Sequence, residues 1–238
     1  YELSLRGPSQ LNIAYETNSS VADMVITVYP EEIAEETTLD QIFSTDGENV
    51  GINIGLAQGT YYLEVKPQAA GWYSSPDIEE AGYTLSVSPS TISTAGEFEP
   101  NNTPLFVNDL TMSETYTARN YSNQDEDYFT FHYVPDSDTD YLTLDFTPQD
   151  DQGSHTIDLL NLEEQTLKTF YAQSGEALAG QKFNLPEGQF YLLVTDNANE
   201  RTEYQLALNG KISPIKKVTG VSLTAAASDD VQKDDTLY

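Results

Sequence analysis

The chain has 238 residues, with 39 acidic against 10 basic side chains, and its formal net charge is −29. Because binding to phosphate needs clustered Lys and Arg, this charge argues against nucleic acid as a partner, and it suits the binding of hard cations by oxygen. The absence of cysteine excludes disulfides and thiolate metal sites, and the absence of any long apolar run predicts no membrane insertion.

Taken in chain order, the sequence alternates apolar and polar residues in short segments, which is the pattern of β-strands. The segments are YELSL (1–5), LNIAYET (11–17), MVITVYP (24–30), YYLEVKP (61–67), YTLSVSP (83–89), YFTFHYV (128–134), YLTLDFT (141–147), FYLLVTD (190–196) and YQLALNG (204–210). EEIAEETTLDQIF (31–43) has no clean apolar stripe and is interpreted as a loop with room for one helical turn. The sequence therefore predicts an all-β chain built as antiparallel sandwiches.

A repeat within the chain predicts two domains. LAQGTYYLEV (56–65) matches LPEGQFYLLV (185–194). Further pairs keep the same order and a similar spacing: 1–5 with 128–132, 10–16 with 141–147, 24–29 with 156–161, and 81–89 with 202–210. We therefore expect one copy of a sandwich over 1–90 and a second over 97–210. The first copy begins where the second has reached Tyr128, so its equivalent of 97–127 is expected upstream of residue 1.

The last part of the chain departs from this pattern. KISPIKK (211–217) is a short basic link that contains proline. VTGVSLTAAASDDVQKDDTLY (218–238) resembles the opening strands of a bacterial immunoglobulin-like repeat. Residues 211–238 are therefore expected to be a linker and the start of such a repeat within a longer array.

Two acidic stretches, EFEPNNT (97–103) and the DED at 125–127, stand close together in the sequence. Within each stretch the acids are two residues apart, so in an extended chain they point to the same side. Carboxylate and amide oxygens are the ligands that calcium prefers, and one calcium site is predicted where the stretches meet. The candidate ligands are Glu97, Glu99, Asn101, Asn102, Asp125 and Asp127. The alternative is that these are surface acids of a very acidic chain, with EPNN an ordinary turn.

These motifs carry a family resemblance. EFEPNNT, the DED before an aromatic strand (125–129), LPEGQFYLLV (185–194) and a closing Y-x-L strand follow one another in the order found in bacterial pre-peptidase C-terminal domains. That family is similar to the collagen-binding domains of clostridial collagenases. The resemblance implies a jelly-roll-like β-sandwich that serves as a non-catalytic appendage of secreted peptidases and other exported proteins. It also implies that the six candidate ligands bind calcium, with Ser122 and Asn123 in the neighbouring loop.

Catalytic chemistry has little support in the sequence. The histidines are His132, within a strand, and His155, after a turn, and both are expected to be exposed. No nucleophile elbow, zinc-protease motif or phosphate-binding glycine loop is present. Paired carboxylates of a glycosidase cannot be singled out among so many acids. We predict that the chain is not an enzyme and has no catalytic residues.

Three aromatic residues in polar loops are candidates for ligand contact. Trp72 and Tyr73 stand in GWYSSPD (71–77), and Tyr121 precedes the acidic loop. Amphipathic aromatics in loops suit contact with sugars or extended peptides, although Trp72 could instead fold back to cap its sandwich.

The function expected from all of this is a calcium-binding, non-catalytic module of an exported, multidomain bacterial protein. It would lie outside the cell or at its surface, as a monomeric unit of a longer chain, and act in adhesion or as a spacer. Its ligand would be an extracellular protein or a polysaccharide. The alternative is an ancillary domain of a secreted peptidase that binds collagen-like protein or polysaccharide substrate.

Overall fold

The computed structural model describes residues 1–17, 23–30, 38–67, 82–90, 95–121, 124–135, 140–151, 153–198 and 201–210. Over these residues the chain is all-β, as predicted. The strands of the first sandwich are β1 Glu2–Leu5, β2 Ser9–Thr17, β3 Met24–Pro30, β4 Asp40–Ser44, β5 Val50–Leu56, β6 Gly59–Pro67 and β7 Tyr83–Pro89. Those of the second are β8 Ala95–Gly96, β9 Asn108–Asp109, β10 Thr115–Asn120, β11 Asp127–Tyr133, β12 Leu142–Pro148, β13 His155–Leu160, β14 Thr166–Ala172, β15 Leu178–Phe183, β16 Gly188–Asp196 and β17 Thr202–Asn209.

Each sandwich consists of two sheets. The first has the strand orders β1-β6-β3-β4 and β5-β2-β7. The second has the orders β14-β13-β16-β11-β9 and β15-β12-β17-β10-β8. The pairs are antiparallel, apart from the two-residue strands β8 and β9, which pair in parallel with β10 and β11.

The two sandwiches share one strand order. β1, β6, β3 and β4 are arranged as β11, β16, β13 and β14 are, and β5, β2 and β7 are arranged as β15, β12 and β17 are. The register agrees as well, because Ile13 faces Val87 in the first sandwich and Leu144 faces Leu208 at the corresponding place in the second. The second sandwich differs in having β9 beside β11, and β10 followed by β8 beside β17.

Alternation of apolar and polar residues builds both cores, because successive side chains of a strand point to opposite faces. In the second sandwich, Phe129 and Leu192 of one sheet pack with Leu144 and Leu206 of the other, and all four are fully buried. The first sandwich has a smaller core, drawn likewise from both sheets. Its main cluster comprises Leu11, Ile13, Val28, Leu39, Ile52, Ile54, Leu56, Tyr61 and Leu63, and a second cluster comprises Tyr15, Met24 and Ile26.

The interpretation of 31–43 as a loop was wrong for its last part. Asp40–Ser44 form β4, which pairs with β3, whereas residues 31–37 lie outside the described residues. The strand was missed because its buried positions include the polar residues Asp40 and Ser44, which hide the alternation.

Several predictions fall on residues that the structure does not describe. They concern Trp72 and Tyr73, the loop residues Ser122 and Asn123, and the segment 211–238. Within the described part of the chain, no helix has the length and apolar character needed to cross a membrane.

Candidate metal centre

The segment from Ala95 to Asn101 carries the acids of the first stretch between the two sandwiches. Its start pairs with β10 as β8, and further along Glu99 forms a parallel β-bridge with Leu56 of β5. The extended backbone turns Glu97 and Glu99 to the same side, as their spacing predicted. Asp127 opens β11, whose next residue, Tyr128, donates its backbone N–H to the carbonyl of Asn101 at 3.0 Å. The two acidic stretches therefore meet.

Three carboxylates converge where these stretches meet, and we call Glu97, Glu99 and Asp127 the acidic cluster. One oxygen from each lies within 4.8 Å of the oxygens from the other two. All three side chains are buried, and so is the neighbouring Asn101. A buried carboxylate is costly unless it is paired, protonated or bound to a metal. Their convergence therefore calls for a bound cation or for protons on the carboxyl groups.

The side-chain amide of Asn101 faces the acidic cluster. The terminal atom that faces it lies 3.1 Å from Glu99 Oε2 and 3.2 Å from Asp127 Oδ1. With nitrogen in that place, the amide donates to both carboxylates while its oxygen accepts from Asn108 Nδ2 at 3.0 Å. With oxygen in that place, the amide adds a further oxygen to those around the cluster. Asn101 can thus serve either a protonation-dependent network or a cation.

Burial and mutual repulsion disfavour the ionised form of the three carboxyl groups in the cluster. Burial, followed by the charges of Asp127 and Glu99, raises the pKa of Glu97 well above its usual value. Burial also raises the pKa of Glu99 and of Asp127, with nearby Asp125 as the next cause for each. A divalent cation would remove this repulsion and hold all three groups ionised.

The outer pair of predicted ligands, Asn102 and Asp125, lies beside the cluster. Asn102 Nδ2 donates to Asp125 Oδ1 at 2.7 Å, and the backbone N–H of Tyr121 donates to Asp125 Oδ2 at 2.8 Å. Both oxygens of Asp125 are thus already hydrogen-bonded. Burial raises the pKa of Asp125 to about 6. In this arrangement the pair borders the acidic cluster, and the carboxylate of Asp125 raises the pKa values of Glu99 and Asp127.

Sequence reasoning missed the residues that position the cluster. The backbone N–H of Arg119 donates to Glu97 Oε1 at 2.7 Å. Tyr204 Oη and Asn120 Nδ2 donate to Asp127 Oδ2, at 2.6 and 3.0 Å. Asn120 and Tyr204 are both fully buried. Tyr204 and Asn120 stood at ordinary strand positions, and a polar group on the inward face of β10 was the one signal that could have marked Asn120.

The first sandwich contacts the backbone of the same segment. Glu99 N donates to Gly55 O and Ala57 N donates to Glu99 O, both at 2.9 Å. Gln10 Nε2 donates to Glu97 O at 3.0 Å. A Cβ atom on Gly55 would lie 1.9 Å from Glu97 O, so this approach requires glycine.

A second link between the sandwiches is ionic. Asp40 of β4 is fully buried, and Arg119 Nη1 donates to its Oδ2 at 2.5 Å. Arg201 Nε lies 3.5 Å from Asp40 Oδ1, and both arginines also pair with Glu203. Because Arg119 supplies its backbone to Glu97 and its guanidinium to Asp40, one residue connects the acidic cluster to the first sandwich.

The donor set suits calcium. Calcium takes six to eight oxygens in flexible geometry, usually carboxylates together with amide or backbone carbonyls and water. Three convergent carboxylates and the amide of Asn101 supply oxygens of that kind, with no sulfur or imidazole among them. The set therefore fits a hard cation and does not fit a metal that prefers thiolate or imidazole ligands.

Tyr121 and His155 are two further residues for which a prediction was made from the sequence. Tyr121, a candidate for ligand contact, donates its hydroxyl to Gln41 Oε1 of the first sandwich at 2.9 Å, so its polar end faces the junction. His155 was expected to be exposed, and this was wrong: it is buried against the rings of Phe146 and Tyr204. His155 is the first residue of β13, and its side chain lies on the buried side of that strand.

Comparison with solved structures yields weak likenesses. The chain is similar to the pre-peptidase C-terminal domain of collagenase from Bacillus anthracis, with 22% identity over 46% of this chain and 100% of that one, at a TM-score of 0.37. It is similar to the PBSX exported protein XepA, with 10% identity over 88% of this chain and 81% of that one, at a TM-score of 0.21. No family model and no curated protein matches the chain. The first likeness is to a domain of the kind that the sequence motifs resemble, and scores of this size assign neither family nor function.

Proposed function

We propose that the chain binds one calcium ion at the acidic cluster and acts as a non-catalytic structural module. The observation that carries this proposal is the convergence of three buried carboxylates within 4.8 Å. The guanidinium nearest to them, that of Arg119, is directed to Asp40 and Glu203. Among the described residues no guanidinium forms an ion pair with the cluster, so a divalent ion would balance its charge once the three carboxyl groups are ionised.

The ion would stiffen the junction between the sandwiches. The segment that supplies Glu97 and Glu99 pairs with β10 of the second sandwich and bridges Leu56 of the first. An ion bound by Glu97, Glu99 and Asp127 together would hold that segment against β11. Through the backbone bridge of Glu99 to Leu56, it would also hold the segment against β5. A rigid pair of sandwiches suits a spacer that holds another part of a longer chain at a set distance.

We also propose that the two sandwiches are copies of one unit. The shared strand order and the shared register of Ile13 with Val87 and Leu144 with Leu208 support this. The proposed setting is an exported bacterial protein, outside the cell or at its surface. The strong negative charge suits such a setting, because it keeps the chain soluble and favours cations.

Calorimetric titration with calcium tests the binding proposal. We expect one ion per chain for the unmodified protein. Asp127→Asn preserves shape and removes one charged ligand, and it should weaken binding by more than about 100-fold, since loss of supporting groups alone costs ~10–100-fold. Glu187→Gln, at an exposed position before β16, is the matched control for loss of one charge and should leave the affinity unchanged. Equal affinities for the two variants would refute the site.

A second candidate function is contact with an extracellular protein or polysaccharide. Two large apolar side chains of β14, Leu167 and Tyr171, favour it because both are exposed. Retention on insoluble collagen and on polysaccharide supports tests this candidate. A double variant, Leu167→Ser with Tyr171→Ser, should abolish any retention that uses these two side chains.

A further inference from the structure

The strand β7 presents an unusual edge. Within the described part of the chain its strand neighbour is β2, and its seven residues YTLSVSP carry no charge. Edge strands are normally protected by charged residues, by bulges or by a covering element, because their free N–H and C=O groups recruit other strands. β7 has no charged residue that would protect its edge in this way.

The apolar row of β7 is exposed where its counterpart is buried. Tyr83, Leu85 and Val87 face the same side as the core residues of β2, through the pairs Tyr15 with Leu85 and Ile13 with Val87. Tyr83 and Val87 are nevertheless 37% and 39% exposed. The corresponding row of β17 is formed by Tyr204, Leu206 and Leu208, whose exposure is at most 1%.

The difference between the rows lies in the strand beside them. β10 pairs antiparallel with β17 and places Tyr116 opposite Leu206 and Ala118 opposite Tyr204. Tyr116 and Ala118 both belong to the core of the second sandwich. β10 thus closes the backbone edge of β17 and covers its apolar row at the same time. The structure describes no strand in that place beside β7.

We propose that β7 is a docking edge for an extended polypeptide strand of the chemistry of β10. The strand runs antiparallel to β7 and alternates, with an aromatic and a small apolar residue facing inward and polar residues facing outward. Main-chain hydrogen bonds supply the affinity, and the inward residues cover Tyr83 and Val87. Pairing of β7 with β7 of a second copy is disfavoured, because each chain carries a charge of −29. The acidic cluster takes no part in this docking.

Amide hydrogen exchange with a synthetic peptide tests the proposal. The peptide ETYTARNY reproduces residues 114–121, and the matched control replaces its central Thr117 by proline, which removes an amide donor and the extended pairing. Every second amide of an edge strand faces away from its one neighbour. These amides of β7 should slow by at least about tenfold with the peptide and not with the control, in calcium and in chelator alike.

A protein variant completes the test. Val87→Lys places a charge on the docking edge and should reduce the protection, with circular dichroism used to check that the sheets remain. No slowing of β7 exchange at saturating peptide would overturn the proposal. So would equal slowing by the proline control. Protection of β7 in the peptide-free protein would also overturn it: if it grew with protein concentration the edge would belong to a second copy, and if it did not the edge would be covered by the chain itself.

Discussion

The two sandwiches have the same strand order but differ in how far their sheets are extended by further strands. β17 lies between β12 and β10 with its apolar row buried, whereas β7 pairs with β2 and leaves Tyr83 and Val87 partly exposed. The short strands that complete the second sandwich come from the same part of the chain as Glu97 and Glu99. In the second sandwich this part of the chain therefore has two roles: it closes the sheets, and it supplies Glu97 and Glu99, two of the three carboxylates of the acidic cluster.

The largest expected effect is that of calcium on the second sandwich. A ligand that binds only the folded state stabilises it by about 4 kcal/mol at a thousandfold excess over its dissociation constant. Because the cluster unites the segment with β11, chelation should lower the stability of the second sandwich more than that of the first. Amide hydrogen exchange of the core residues of each sandwich, with calcium and with chelator, measures this. A larger loss of protection in the first sandwich would reverse the comparison.

Separation of the two sandwiches should follow from Asp40→Asn. Loss of the carboxylate leaves the guanidinium of Arg119 without its buried partner, at a cost of about 3 kcal/mol. We expect the unfolding of the sandwiches to become less cooperative, with two transitions in calorimetry. Asp46→Asn, at an exposed turn of the same sandwich, is the control and should leave the transition within about 0.5 kcal/mol of the original. An unaltered single transition in Asp40→Asn would mean that this ion pair does not couple the sandwiches.

A backbone contact gives the next effect. Gly55→Ala would place a methyl group 1.9 Å from Glu97 O and should cost about 2 kcal/mol by overpacking. It should also weaken calcium binding, since Glu97 must move. Gly51→Ala lies on the same strand, where the added atom meets Ile13 O at 3.4 Å, and should change both quantities little. Urea unfolding and calcium titration compare the two variants. Equal free energies of unfolding and equal calcium affinities would show that the first sandwich does not influence the acidic cluster.

The smallest expected effect is a gradual dependence on pH in chelator. Asp125, whose pKa is raised to about 6, keeps its proton in the folded chain after the unfolded chain has released it near pH 4. Between about pH 4 and 6 the folded state therefore binds more protons, and stability falls as pH rises. Raised pKa values of Glu97, Glu99 and Asp127 extend this fall to higher pH. Thermal melts in chelator should show this slope, and calcium should flatten it; a rise in stability over the same range would contradict the raised pKa values.

Much of this organisation could be predicted from the sequence, because alternation is a local signal. The inward rows of β12, β16 and β17 were evident from their apolar residues alone. The meeting of Glu97, Glu99 and Asp127 followed from their spacing and from the order of the motifs. Contacts between residues distant in the sequence left no such signal. The ion pair of Asp40 with Arg119 joins residues 79 positions apart and depends on how the two sandwiches meet. Nor could the sequence distinguish Gly55, which needs to be glycine because Glu97 passes beside it, from other glycines.

The most direct measurement is anomalous diffraction from crystals grown with calcium. We expect one strong peak within about 2.3–2.6 Å of oxygens from Glu97, Glu99 and Asp127, with the amide oxygen of Asn101 turned towards it. This expectation would be contradicted by carboxylates that share protons and hydrogen bonds with one another while the calcium peak is absent or lies elsewhere.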